Sequence, residues 1–245
     1  MGLVYRVLMT VFLFFVAAPA KASDGGDYLM PETVTMELDK AFIPVGFDSN
    51  DRIQVTVEGM FPNTCYKIGP YTVHMNETDK SVRIQQTAYK YFAPCIQMKV
   101  PFVQTIDVGM LGEGAWRIFD AKSERVLGAL PVDLAKTQSA DEFLYAPVLE
   151  AYVFNDPGTM KEQLALSGTF TDRCTVLKEV RIHYYPDVIV VQPIAEHLET
   201  GRDCGAQLTR FMHTVPLQDG LAGSYLLHVR SMNGQAINKV VDLSK

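Results

Sequence analysis

The sequence predicts an all-β chain of two tandem sandwich domains, each closed by its own disulfide. Three observations carry that prediction. The 245 residues contain an internal repeat, the four cysteines fall two to each repeat, and short runs alternate apolar with polar residues.

The repeat comes first. The phrase GMFPNTC (59–65) returns as GTFTDRC (168–174). Cys174 follows Cys65 by 109 residues, and Cys204 follows Cys95 by the same 109. That interval also separates Phe102 from Phe211, Gly114 from Gly223 and Trp116 from Tyr225, and it holds to VDL at 132–134 and 241–243. Upstream it slips by one residue, so that KAFIP (40–44) answers EAYVF (150–154). A register kept along a whole unit means two copies of one domain. We expect the first domain at 23–134, a linker at 135–142 (AKTQSADE) and the second domain at 143–245.

Within each copy the strands announce themselves by period two. RIQVTVEG (52–59) alternates, and its counterpart KEQLALSG (161–168) does so less cleanly. The closing hairpin is the clearest element. In GSYLLHVRSMNGQAINKVVDL (223–243), Tyr225, Leu227 and Val229 share a face, and Asn233-Gly234 suits a tight turn because both residues tolerate positive φ. The first copy builds the same hairpin at 114–134 with Trp116 and Ile118 facing in. Roughly six or seven short strands per copy, with no long amphipathic helix, predict an immunoglobulin-like sandwich.

Cys65 and Cys95 are 30 residues apart, as are Cys174 and Cys204. Of the three possible pairings, only Cys65–Cys95 with Cys174–Cys204 lets each copy fold by itself. A zinc site is disfavoured, since no Cys-x-x-Cys occurs.

The first 22 residues read as a signal peptide. Arg6 supplies the positive start, VLMTVFLFFVAA (7–18) the apolar core, and AKA (20–22) a small-x-small cleavage site. The core is too short to span a bilayer comfortably. We therefore expect a periplasmic or secreted bacterial protein with no stable membrane insertion after cleavage. The net charge of −6 argues against nucleic acid as a partner.

No catalytic residue, metal ligand or cofactor is assigned. There is no Gly-x-Ser-x-Gly elbow, and DSND (48–51) lacks the glycine and terminal glutamate of a calcium loop, so it reads as a turn. His74 and His183 occupy the same repeat position and should point outward from strands whose Val73 and Ile182 point in. His213 and His228 have no histidine counterpart and could approach each other across neighbouring strands. The best pointer lies where the copies differ. TAYKYFAPC (87–95) places Tyr89, Tyr91 and Phe92 beside a lysine, where the second copy has the charged EHLETGRDC (196–204). RIHYYPD (181–187) adds Tyr184 and Tyr185. Aromatics at exposed positions suit a glycan or protein contact, although Tyr89 and Tyr91 also alternate as core residues would.

The cysteine pair with PFVQTIDVGMLGEGAWRIF (101–119) and GLAGSYLLHVRSMNG (220–234) resembles a group of tandem secreted bacterial immunoglobulin-like domains, each with one cysteine pair and a closing leucine–glycine–aromatic hairpin. The group is largely uncharacterised, so the resemblance implies fold and export but no chemistry. The expected function is a non-enzymatic binding or assembly module that contacts an envelope protein or a surface glycan. The alternatives are an inhibitor or chaperone-like strand-edge binder, and a hydrolase with an unrecognised site.

Overall fold

In the computed structural model, residues 30–198 and 204–243 are described. Residues 1–22, expected to be a signal peptide, lie outside them, as does most of the variable stretch before Cys204. Among the described residues every regular element is a strand, and no helix is long and apolar enough to cross a membrane.

The first copy contains β1 (Glu32–Met36), β2 (Lys40–Phe42), β3 (Phe47–Asp48), β4 (Ile53–Phe61), β5 (Tyr66–Asn76), β6 (Ser81–Lys90), β7 (Val100–Gly109), β8 (Gly114–Asp120) and β9 (Val126–Asp133). One sheet runs β2-β4-β7. The other runs β1-β6-β8-β9-β3, with β5 also on β6. The second copy contains β10 (Val148–Asn155), β11 (Glu162–Asp172), β12 (Thr175–Tyr184), β13 (Val188–His197), β14 (Ala206–Pro216), β15 (Gly223–Ser231) and β16 (Gln235–Leu243). Its sheets run β10-β11-β14 and β12-β13-β15-β16. In place of β1 it has a single bridge, Tyr145 to Ile194. Each copy is thus a two-sheet sandwich with one repeated irregularity. The pairs β6–β8 and β13–β15 are parallel in an otherwise mostly antiparallel frame.

The inward faces follow the predicted alternation. Ile53, Val55, Val57, Ile84, Ile106, Trp116 and Ile118 form the first core, and Leu164, Leu166, Ile189, Val191, Leu227 and Val229 the second. The repeated phrase has a steric reason. Gly59 pairs with Phe102 and Gly168 with Phe211 across the ladder. A Cβ on Gly59 would sit 2.7 Å from Phe102 Cε1 and 2.8 Å from the Glu37 carbonyl oxygen, and one on Gly168 would sit 2.6 Å from Phe211 Cε1. The ring lying over each glycine then packs against the phenylalanine two residues on, at 4.6 Å for Phe61–Phe102 and 4.9 Å for Phe170–Phe211. Beyond that pair, Cys65–Cys95 and Cys174–Cys204 close as disulfides with Cα separations of 5.4 and 5.3 Å.

The copies meet face to face. Ala41 on β2 points into the first core, so Phe42 points away from it. Phe42 is fully buried among Val188, Val190, Leu226 and Val240, on the outer face of the β13-β15-β16 layer of the second copy. Lys40 pairs with Asp187 at 3.3 Å, and Asn238 Nδ2 donates to Gln54 Oε1 at 2.6 Å. In the second copy Tyr152 takes the place of Phe42, and it is 43% exposed.

The two positions should therefore behave differently. Phe42→Ala should cost about 3 kcal/mol or more in urea unfolding, the penalty for deleting a fully buried ring. Tyr152→Ala, measured in dilute protein, should stay within about 0.5 kcal/mol. Equal effects would place the burial elsewhere.

Candidate functional site

The aromatic residues singled out by sequence do not form one site. Tyr89 lies half-buried on the outer side of β6, opposite Thr33 on β1 and Lys67 on β5. Tyr91 and Phe92 lie just past the strand end and are exposed, Phe92 at 56%. Tyr184 and Tyr185 sit at the other end of the equivalent hairpin, in the second copy. Tyr184 packs on the second core and its hydroxyl accepts a bond from Gln218 N at 3.0 Å, while Tyr185 is exposed.

The loop carrying Tyr91 is held firmly. Tyr91 N donates to Cys65 O at 2.9 Å, and Ile96 N donates to Thr64 Oγ1 at 3.0 Å. The Cys65–Cys95 disulfide ties the same two segments. Beneath it, Phe61, Phe102 and Tyr66 stack. On this base the loop presents Tyr91, Phe92, Ile96 at 67% exposure and Met98 to solvent. Lys67 Nζ lies 5.5 Å from the Tyr91 ring and Lys90 Nζ 5.7 Å from the Phe92 ring. The sequence identified the rings; it did not identify Ile96 and Met98, whose exposure follows from the loop having no second layer above it.

The histidines are dispersed. His74 and His183 are exposed on strands, with Val73 and Ile182 packed inward. His213 and His228 do not meet. They lie on β14 and β15, in different sheets, the first exposed and the second buried. Cys174, His197 and Cys204 bring ligand-type atoms within 4.8 Å of one another. Both sulfurs are committed to the disulfide, so no thiolate is offered there.

The densest cluster of charged side chains is one that sequence reasoning missed, and it lies at the junction of the copies. Arg230 on β15 is 6% exposed. Its Nη1 donates to both Glu142 carboxylate oxygens at 3.0 and 2.9 Å, its Nη2 donates to the Gly46 carbonyl, and Asp51 Oδ2 lies 3.7 Å away. The guanidinium also lies 5.5 Å from the Phe47 ring, and His228 meets the same ring edge-on at 5.7 Å. Asp141 accepts from Asn233 N and Gly234 N at 2.7 and 3.0 Å, and Asn50 Nδ2 donates to Thr137 O and Ser139 O. Residues 135–142 are thus fastened to both copies, with bends and no helical turn. DSND is a turn in which Asp51 Oδ2 accepts from Asp48 N. A cavity of about 20 Å³ borders Asp51, Asp141, His228 and Arg230, room for a single water and too small for a substrate.

Burial sets the two junction titrations. It raises Asp51 from 3.8 to about 6, with Arg230 opposing, and lowers His228 from 6.5 to about 4, with the Asn238 bond opposing. A raised acid favours the fold below its unfolded pKa and loses that contribution as pH climbs to about 6. A depressed histidine gains its contribution as pH climbs from about 4 to 6.5. The two contributions have opposite sign, so they oppose one another in the native protein.

The structure is a duplicated, disulfide-closed sandwich with a fastened aromatic loop and a buried ionic junction. The chain belongs to the ORF11 β-sandwich domain family, whose model matches residues 55–119 and 164–243, more than half of the sequence. The two matched segments begin 109 residues apart (164 − 55), the interval of the internal repeat. No curated protein and no solved structure gives a significant match.

Single substitutions should unmask the opposed titrations in urea unfolding across pH 4–6.5. Asp51→Asn should leave stability rising with pH, and His228→Gln should leave it falling. Parallel profiles for the two variants would contradict the assignment.

Proposed function

We propose that the protein is an exported, non-enzymatic binding module of the bacterial envelope that holds a protein partner through the loop at residues 91–98. The observation that carries this reading is the rigid display of Tyr91, Phe92, Ile96 and Met98. A loop already ordered by a disulfide and main-chain bonds loses little entropy on binding. Aromatic and methionine side chains are enriched at the centres of protein interfaces, and Lys67 and Lys90 supply a polar rim. Two aliphatic side chains among the rings favour an apolar protein segment over a sugar, which selects flat aromatic platforms flanked by hydrogen-bonding groups. Export is supported by the two disulfides, which persist in oxidising compartments, and by the N-terminal signal pattern. The non-enzymatic reading is supported by the dispersed histidines and by the engagement of the buried charges with one another.

A second reading, the strand-edge binder, is favoured by β14. Among the described residues it pairs only with β11, and its 11 residues carry Arg210 as their one charged side chain apart from His213. Such an edge accepts a partner's strand by main-chain hydrogen bonds.

Affinity capture from the protein's own envelope extract separates these readings. The unmodified protein should retain one stoichiometric protein. Tyr91→Ala with Phe92→Ala should weaken that retention at least tenfold, the scale of interface hot spots, with the thermal midpoint unchanged. Retention of polysaccharide alone would replace the protein partner by a glycan, and undiminished retention would move the contact to β14 or another face.

A further inference from the structure

The internal junction uses one face from each copy and leaves the matching face of each copy open. The face given by the first copy is the outer side of β2-β4, with Lys40, Phe42 and Gln54. The face given by the second is the outer side of β13-β15-β16, with Asp187, Val190, Leu226, Asn238 and Val240. By repeat position, the open face on the second copy carries Glu150, Tyr152 and Gln163. By ladder position, with Arg117 standing where Leu226 stands, the matching face on the first copy carries Lys80, Ser81, Arg83, Arg117 and Ala129 in place of Asp187, Val188, Val190, Leu226 and Val240.

We propose that the chain binds further copies of itself head to tail, the β10-β11 face of one molecule lying on the β8-β9 face of the next in the arrangement of the internal junction. The first support is apolar exposure. Ala151 and Val153 point into the second core, so Glu150, Tyr152 and Phe154 share the outer side of β10 and all three are exposed. Met212, paired through Ser167 to Glu150 in the ladder, extends that surface and is 77% exposed. A shallow depression of about 570 Å³ lies between Leu149, Glu150, Arg210 and Met212.

The second support is charge. At the internal junction the β2 side is positive and the β13 side negative, through Lys40 and Asp187. On the open faces both signs are reversed: Glu150 replaces Lys40, and Lys80 replaces Asp187, with Arg117 beside it. The Lys80 carbonyl accepts from Arg117 N at 2.9 Å as the Asp187 carbonyl accepts from Leu226 N, and Lys80 also pairs with Glu77 at 2.7 Å. Among the described residues neither Glu150 nor Arg117 makes an ion pair, and both are exposed. Arg117 occupies the position of Leu226, against which Phe42 packs, so the repeated geometry brings the Tyr152 ring onto the Arg117 guanidinium. That is a cation–π contact in place of an aliphatic one. Ala129, paired with Arg117 as Val240 is paired with Leu226, offers the ring a small surface beside the guanidinium. Because the two faces differ, the contact is heterologous, and chains grow unless the rotation happens to close a ring.

This surface is separate from the loop at 91–98, and its test uses purified protein alone, so either reading can fail without the other. Sedimentation velocity over about 1 to 300 µM, the range of weak assemblies, should show a coefficient that climbs with concentration. Glu150→Arg and Arg117→Glu should each remove the climb with the thermal midpoint unchanged. An equimolar mixture of the two variants should restore it, because every face then meets a complement. The double variant in one chain should also restore it. A wild-type coefficient flat across the range overturns the proposal, as does a single variant that associates like wild type or a mixture that remains monomeric.

Discussion

The second copy has a sheet that is apolar on both sides, and the whole molecule is arranged around that fact. Ile189 and Val191 on β13 face the second core, whereas Val188 and Val190 face outward and would form a water-exposed patch were Phe42 not seated on them. With that ring in place the surrounding polar groups lose their water as well. Arg230, Asp51 and His228 are buried because two sandwiches press together there, and each then requires the partner it has. Glu142, Asp51 and the Gly46 carbonyl answer the guanidinium, and Asn238 answers the imidazole. The segment at 135–142 is consequently part of the interface as well as a connection.

Duplication kept what the interior needs and released what the surface does not. Gly59 and Gly168, Phe102 and Phe211, and both cysteine pairs persist because a ring laid over the main chain admits no side chain beneath it. The outward positions have diverged freely: Ser81 against Val188, Arg83 against Val190, Arg117 against Leu226 and Phe119 against His228. The copies share a fold and present different faces.

That division explains what could be read from the chain alone. The repeat, the cysteine pairing and the inward set of Trp116, Ile118, Leu227 and Val229 were legible because they depend on spacing and period. Exposure of Tyr91, Phe92, His74 and His183 was legible for the same reason. Tyr89 and Tyr184 proved half-buried, because neighbouring strands and the Gln218 main chain cover them. The junction was not read, although a signal existed. VIVV (188–191) is an apolar run where its counterpart SVRI (81–84) alternates, the mark of a strand covered on both sides. Nothing local marks Phe42 as the residue that covers it, since an outward phenylalanine and an inward one look alike in a three-residue strand. The engagement of Asp51 with Arg230 joins positions far apart in sequence, and only the docking of the copies brings them near.

The parallel pairs have a consequence for how the chain reaches this state. β6 and β8 cannot join through a tight turn, so the chain must first leave the sheet, lay β7 against β4, and return. The same detour recurs through β14 in the second copy. Such topologies fold slowly, because distant segments must be brought together before they reward the search. The hairpins β5–β6 and β12–β13 are among the sequence-local pieces of each unit, and each cysteine pair straddles one of them. A sulfur bridge therefore staples a piece with short loops at its base and shortens the wandering that remains to the rest of each copy.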